Sequence, residues 1–172
     1  MKLRGLPVTL LHGGPASPWS LSPLARALAL RGALVYYPRY AALGTGDLRG
    51  GFAHVAAGMP ETPGVIIAHS LGGRLALRLA EAGLPCRAIV GLGAAWRGVV
   101  DAPIVRSLRQ ARGPLAVPRT DVPIVSVISS SDSVVPRWTS RLGVVVEVEG
   151  ISHRKLPHQT GLVLEILRRL DA

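Results

Sequence analysis

The feature that most constrains this chain is the alternation of short, largely apolar runs with stretches whose apolar residues recur every three or four positions. Leu6 to Leu11, Ala33 to Tyr37, Val65 to His69, Arg87 to Leu92, Pro123 to Ser129 and Val144 to Val148 read as six strands. A strand that is apolar on both faces must be covered on both faces, which is the condition of a parallel sheet whose crossovers are helices. The intervening stretches fit such helices. Ser17-Pro18 reads as a cap and first turn, followed by Trp19 to Arg31 with Leu21, Leu24 and Leu28 at helical spacing and Gly32 as the stop. Asp47 is placed to cap a helix running to about Ala57. Leu71 to Ala82 carries Leu75, Leu79 and Ala82 on one face, and Pro157 to Leu170 carries Leu162, Ile166 and Leu170. Gly93 to Arg119 is the least regular stretch, with a helix expected around Ile104 to Ala111. The expectation is one domain over residues 1–172, a small doubly wound, mostly parallel six-stranded sheet with helices on both faces. In such a sheet, ligands sit beyond the carboxyl ends of the strands.

Composition removes several classes of function. A chain of 172 residues has room for one core, and Cys86 is the single cysteine, so a disulfide scaffold and a cysteine-rich zinc site are both excluded. No apolar run approaches the roughly 18 residues of a membrane span. Lys2, Arg4 and Leu6 to Leu11 start like a secretory leader, but the run is short and ends in His12-Gly13-Gly14, so the chain is expected to be mature and cytoplasmic. The net charge is +10, and 18 of the 20 basic residues are Arg. The Arg residues are scattered singly, with no basic run interleaved with aromatics, which argues against nucleic acid and leaves a weak attraction to anionic surfaces.

Chemistry gathers at the strand ends. The third strand closes in Ala68-His69-Ser70-Leu71-Gly72-Gly73. This is the pattern of a nucleophile elbow, G-x-S-x-G with Ala in the first position: a strand turns sharply into a helix with Ser at the apex, which demands small residues two before and two after it. A Ser that only caps a helix is the plainer alternative. The first strand closes in His12-Gly13-Gly14-Pro15, where backbone N–H groups of Gly14 (or Gly13) could join that of Leu71 in holding an oxyanion. The fifth strand is followed by Asp132, an acid able to orient a histidine; its alternative is a turn or cap before Pro136. Asp121 is a rival acid, but it precedes the strand and falls at the wrong end of the sheet. The sixth strand is followed by His153, with His158 a rival assigned to the last helix. Ser70, Asp132 and His153 thus follow strands three, five and six in the chain order of a Ser…Asp…His triad. Cys86 reads as a small core residue, His12 and His69 as structural, and His54 as unrelated.

With these motifs the sequence resembles the α/β hydrolases over nearly its whole length, and within them the small lidless bacterial lipases and esterases. The elbow Ala68-His69-Ser70-Leu71-Gly72-Gly73, the stretch Gly44-Thr45-Gly46-Asp47-Leu48 and the segment from Val144 to Glu149-Gly150-Ile151-Ser152-His153 carry the resemblance. It implies a three-layer α/β-hydrolase fold without a large cap. It further implies Ser70 as nucleophile, His153 as general base and then acid, Asp132 as the orienting acid, and the amides of Leu71 and Gly14 as oxyanion donors. The implied activity is hydrolysis of a small-molecule carboxylic ester through an acyl-enzyme, with no metal or organic cofactor. Hydrolysis of a thioester and a catalytically silent binding module of the same fold are the alternatives. His12-Gly13-Gly14-Pro15 also resembles the proline iminopeptidases, but the 27 residues from Gly93 to Arg119 are short for their helical cap. That segment is instead expected to form a rim beside Ser70. Trp96, Val99, Val100, Ile104, Val105, Leu108 and Leu115 would line an acyl pocket there, with Arg residues outward.

Overall fold

The computed structural model describes residues 3–14, 16–40, 48–98, 117 and 119–170. The expected helix around Ile104 to Ala111, most of the rim segment, Pro15 and the Asp47 cap lie outside the described residues. Six strands form one sheet: β1 (Pro7–Leu11), β2 (Leu34–Tyr36), β3 (Gly64–His69), β4 (Cys86–Leu92), β5 (Ile124–Ser129) and β6 (Val144–Val148). Their order is β2-β1-β3-β4-β5-β6 and every pairing is parallel. The strand order reverses direction after β2, so the crossover that enters β2 and the crossover that leaves it cover opposite faces. On one face α1 (Ser22–Ala29) and α5 (Thr160–Leu170) bury Leu24, Leu28, Val163, Ile166 and Leu167 against Val8, Leu10, Val65, Ile67 and Val90. On the other, α2 (Leu48–Gly58) and α3 (Gly72–Glu81) bury Val55, Leu75 and Leu79 against Leu11, Ile66, Ala68 and Ile89. The period-two alternation along β1 and β3 therefore feeds two cores rather than one wet and one dry face. A one-turn helix, α4 (Arg137–Ser140), lies between β5 and β6.

Two expected helices start late, and proline is the reason at the first. Pro18 opens a 3₁₀ turn over Pro18–Leu21, and the α-helix proper begins at Ser22 with Pro23 in its first turn. A single helix from Trp19 onward would put Pro23 where its missing N–H breaks the ladder and its ring meets the carbonyl four residues back. Restarting the helix places Pro23 where no donor is required. Ser17 is extended but makes no side-chain cap, contrary to expectation. At the carboxyl end a 3₁₀ turn over His153–His158 contains Pro157, and α5 starts at Thr160. Its buried face is Val163, Ile166 and Leu167, with Leu162 and Leu170 only partly buried, so the apolar stripe is rotated from the expected one. Ala82, expected on the buried face of α3, is exposed beyond that helix's last turn.

Candidate active site

Ser70 joins β3 to α3 at φ 55°, the one residue other than glycine with positive φ among those described. A side chain held there carries strain of about 1–2 kcal/mol. The turn is fixed by backbone bonds: Ser70 N–H donates to Leu92 O at 3.3 Å, and Ser70 O accepts from Gly73 and Ala95 at 3.1 and 2.9 Å. The requirement for small residues is explicit in the contacts. A Cβ on Gly72 would fall 2.6 Å from Leu11 O and 2.8 Å from His12 O, both backbone atoms that cannot yield. A Cβ on Gly13 would fall 2.5 Å from the Cβ of Ser70, so the glycine turn after β1 packs directly on the serine. Ser70 itself is buried, and so is Leu71, which precedes the first turn of α3. Among the described residues neither the Leu71 N–H nor the Gly14 N–H donates a hydrogen bond.

Asp132 and His153 meet. His153 Nδ1–H donates to Asp132 Oδ2 at 2.7 Å, with both side chains buried. The other carboxylate oxygen, Oδ1, accepts from the N–H groups of Val134 and Val135, each at 2.9 Å. Burial pushes the Asp132 carboxyl up, but the bonds from His153, Val135 and Val134 outweigh it and hold the group below its ordinary value. Asp132 is therefore an ionised acceptor with a fixed direction, and it fixes which nitrogen of His153 carries the proton. Gly93, at the end of β4, makes room for the pair. It adopts φ 54°, and a Cβ there would lie 2.9 Å from Asp132 Oδ2 and 3.1 Å from His153 Nδ1. Sequence reading takes Gly93 only as the start of a loop; nothing local signals this contact, which forms across three strands. No hydrogen bond joins Ser70 to His153 among the described residues. Such bonds are commonly long in an unliganded enzyme and tighten on substrate.

The remaining histidines divide by position. His12 and His69 are buried beside the serine, one residue beyond and at the end of neighbouring strands β1 and β3. His12 donates from Nδ1 to Gly13 O, stacks on Tyr40 at 4.2 Å, and has its pKa lowered by burial. The Tyr40 hydroxyl donates to His12 O. His54 and His158 are exposed, and Asp121 is exposed ahead of β5, away from the site. Cys86 is half-buried with its thiol pushed up by burial, which favours the protonated, less nucleophilic form.

Trp96 corrects the expected rim. Instead of lining a pocket it is fully buried, with Nε1–H donating to Ser126 Oγ at 2.9 Å and Ser140 O at 3.0 Å. Its ring occupies the space that Gly91 and Gly73 leave by lacking a Cβ. A separate cavity of about 940 Å³ on the flank is lined by residues including Ala25, Leu30, Val35, Tyr37 and His158, none of them a residue of the site. Among the described residues, no cluster of His, Cys, Asp and Glu side chains forms a metal site, and no helix is long and apolar enough to cross a membrane.

No protein-family model matches the chain, and no curated protein matches it in sequence. Solved structures do. Polyneuridine aldehyde esterase superposes with a TM-score of 0.73 at 14% identity, over 98% of this chain and 100% of that one. The enzyme MGS-MChE2, an α/β hydrolase from the metagenome of lagoon sediments at Mar Chica, Morocco, gives 0.70 at 16% identity, over 99% and 94%. The methylesterase MES16 from Arabidopsis gives 0.66 at 14% identity, over 96% and 99%. The chain has the three-layer α/β-hydrolase fold.

Proposed function

We propose that this protein is a serine hydrolase that cleaves carboxylic esters through an acyl-enzyme. Ser70 Oγ attacks the acyl carbonyl as His153 takes its proton. The tetrahedral oxyanion rests against the N–H groups of Leu71 and Gly14, at the start of α3 where the helix dipole favours negative charge. His153 then returns the proton to the departing alcohol, leaving the acyl group on Ser70. Water attacks that ester with His153 again as base, releasing the acid and restoring the serine. Asp132 stays ionised throughout, keeps the Nδ1–H tautomer of His153 and stabilises the imidazolium. The substrate is a small-molecule ester.

The observation that carries this reading is Ser70 held at φ 55° beside a buried Asp132–His153 pair. A helix cap needs neither the strained backbone nor the pair, and strain that the surrounding structure holds in place clusters at active sites. The test is a panel of esters of increasing acyl length, assayed with wild type and Ser70→Ala. Turnover is expected to fall by about 10⁴- to 10⁶-fold in the variant. Retention of more than about 5% of wild-type turnover would sink the assignment, since a missing nucleophile leaves far less than that.

A further inference from the structure

The mechanism leaves one buried histidine next to the nucleophile unused. His69 is the last residue of β3. Its Nε2–H donates to the backbone carbonyl of His153 at 3.1 Å, and the two rings lie 4.5 Å apart at a tilt of 36°. Its Nδ1 is then a bare acceptor, buried with no hydrogen-bond partner among the described residues. Packing alone does not ask for this arrangement, because a leucine would fill the space without stranding a polar atom. What histidine adds is the bond to the carbonyl of residue 153. The charged and titratable groups around it are His153, Asp132 and His12. Burial and the adjacent His153 push it down to about 3, so it is neutral in the working range.

Resting on the reading of Ser70 and His153 given above, we propose that His69 is a positioning residue: its Nε2–H anchors the backbone of His153 while its ring sets the plane of the general base. His153 follows an edge strand and opens the 3₁₀ turn over His153–His158, so its placement rests on the packing of that turn and on side-chain anchors. His69 supplies one from the same strand that carries the nucleophile. Serine and base are thereby referred to one rigid element.

The test compares wild type, His69→Leu, His69→Gln and His69→Asn, each with active sites counted by a fluorophosphonate, and Ser70→Ala at matched protein concentration, with kcat and KM measured on one soluble ester. His69→Leu is expected to lose about 10- to 100-fold in kcat per counted site, the size of effect that misplacing a reacting group produces, with KM within about twofold. His69→Gln places an amide nitrogen near the Nε2 position and should recover to within about threefold of wild type, whereas the shorter Asn should stay slow. A merely structural role predicts lower melting temperatures with an unchanged kcat per counted site and no advantage of Gln over Asn. Wild-type kcat in His69→Leu, or equal rates for Gln and Asn, would overturn the inference. If the leucine variant does not fold, the Gln–Asn comparison decides alone. Failure of the underlying reading looks different, because Ser70→Ala would then keep turning over.

Discussion

The centre of the sheet and its flanks are built from similar residues and behave differently. β1 and β3 are buried along their whole lengths, whereas Val144 of β6 is 66% exposed and Leu34 of β2 is 61% exposed. Apolar character is alike in Val65–Ile67 and Val144–Val146; what differs is having a strand on each side and a helix on each face. The residues of the candidate site follow this division. Ser70, the turn at Gly13 and Gly14, Gly93 and Asp132 all issue from the four central strands. His153 alone issues from an edge strand, and it is held by Asp132 at 2.7 Å and by His69 at 3.1 Å. The centre supplies rigidity through packing, and the flank acquires it through hydrogen bonds to the centre.

The strongest way to break this comparison is to cut the tie between centre and flank. Asp132→Asn keeps shape and removes the charge that holds His153 in its tautomer, so turnover should fall by about 10⁴-fold with the fold intact by circular dichroism. A fall of less than about tenfold would mean that His153 is placed without Asp132. Next in size is packing at the centre. Ile89 of β4 is 0% exposed, and Ile89→Ala should lower the unfolding free energy by about 2–5 kcal/mol in urea.

A smaller effect follows from the buried histidines. His69 is pushed from 6.5 to about 3, chiefly by burial, and His12 is lowered by burial as well. The unfolded chain therefore takes up protons that the folded chain refuses. The associated stability is whole above pH 6.5 and is lost as pH falls toward 3. Unfolding free energy should be lower near pH 5.5 than near pH 7.5 by on the order of 1 kcal/mol from His69, with His12 steepening the slope. His69→Gln should flatten it; an unchanged slope would place the titration elsewhere. Asp132, held low, adds its own loss only at still more acid pH. The smallest effect belongs to the flank: Val144→Thr should change stability by no more than about 0.5 kcal/mol.

Much of this was legible in the sequence for a physical reason. Strand positions follow from apolar runs bounded by Gly and Pro, and the elbow follows from a steric demand local to six residues. Asp132 and His153 are readable because each follows a strand by a few residues, so that chain position fixes the edge on which they lie. What escaped depends on contacts between distant segments. Trp96 sits among apolar residues and reads as a pocket wall, but its indole finds Ser126 and Ser140 and the space left by Gly73 and Gly91. The late start of α1 follows from Pro23, whose missing N–H interrupts the ladder inside the helical spacing of Leu21, Leu24 and Leu28. Gly93 and His69 act on His153 across the sheet, and no local pattern marks them.

The central claim is that Ser70 is the nucleophile of the Asp132–His153 pair, and covalent labelling reads it most directly. The folded protein is treated with a fluorophosphonate, digested, and the adduct located by peptide mass spectrometry. The account predicts a single adduct on Ser70 that is absent from Ser70→Ala and slowed in Asp132→Asn. An adduct on another residue, or none on protein that is folded at the time of treatment, would contradict it.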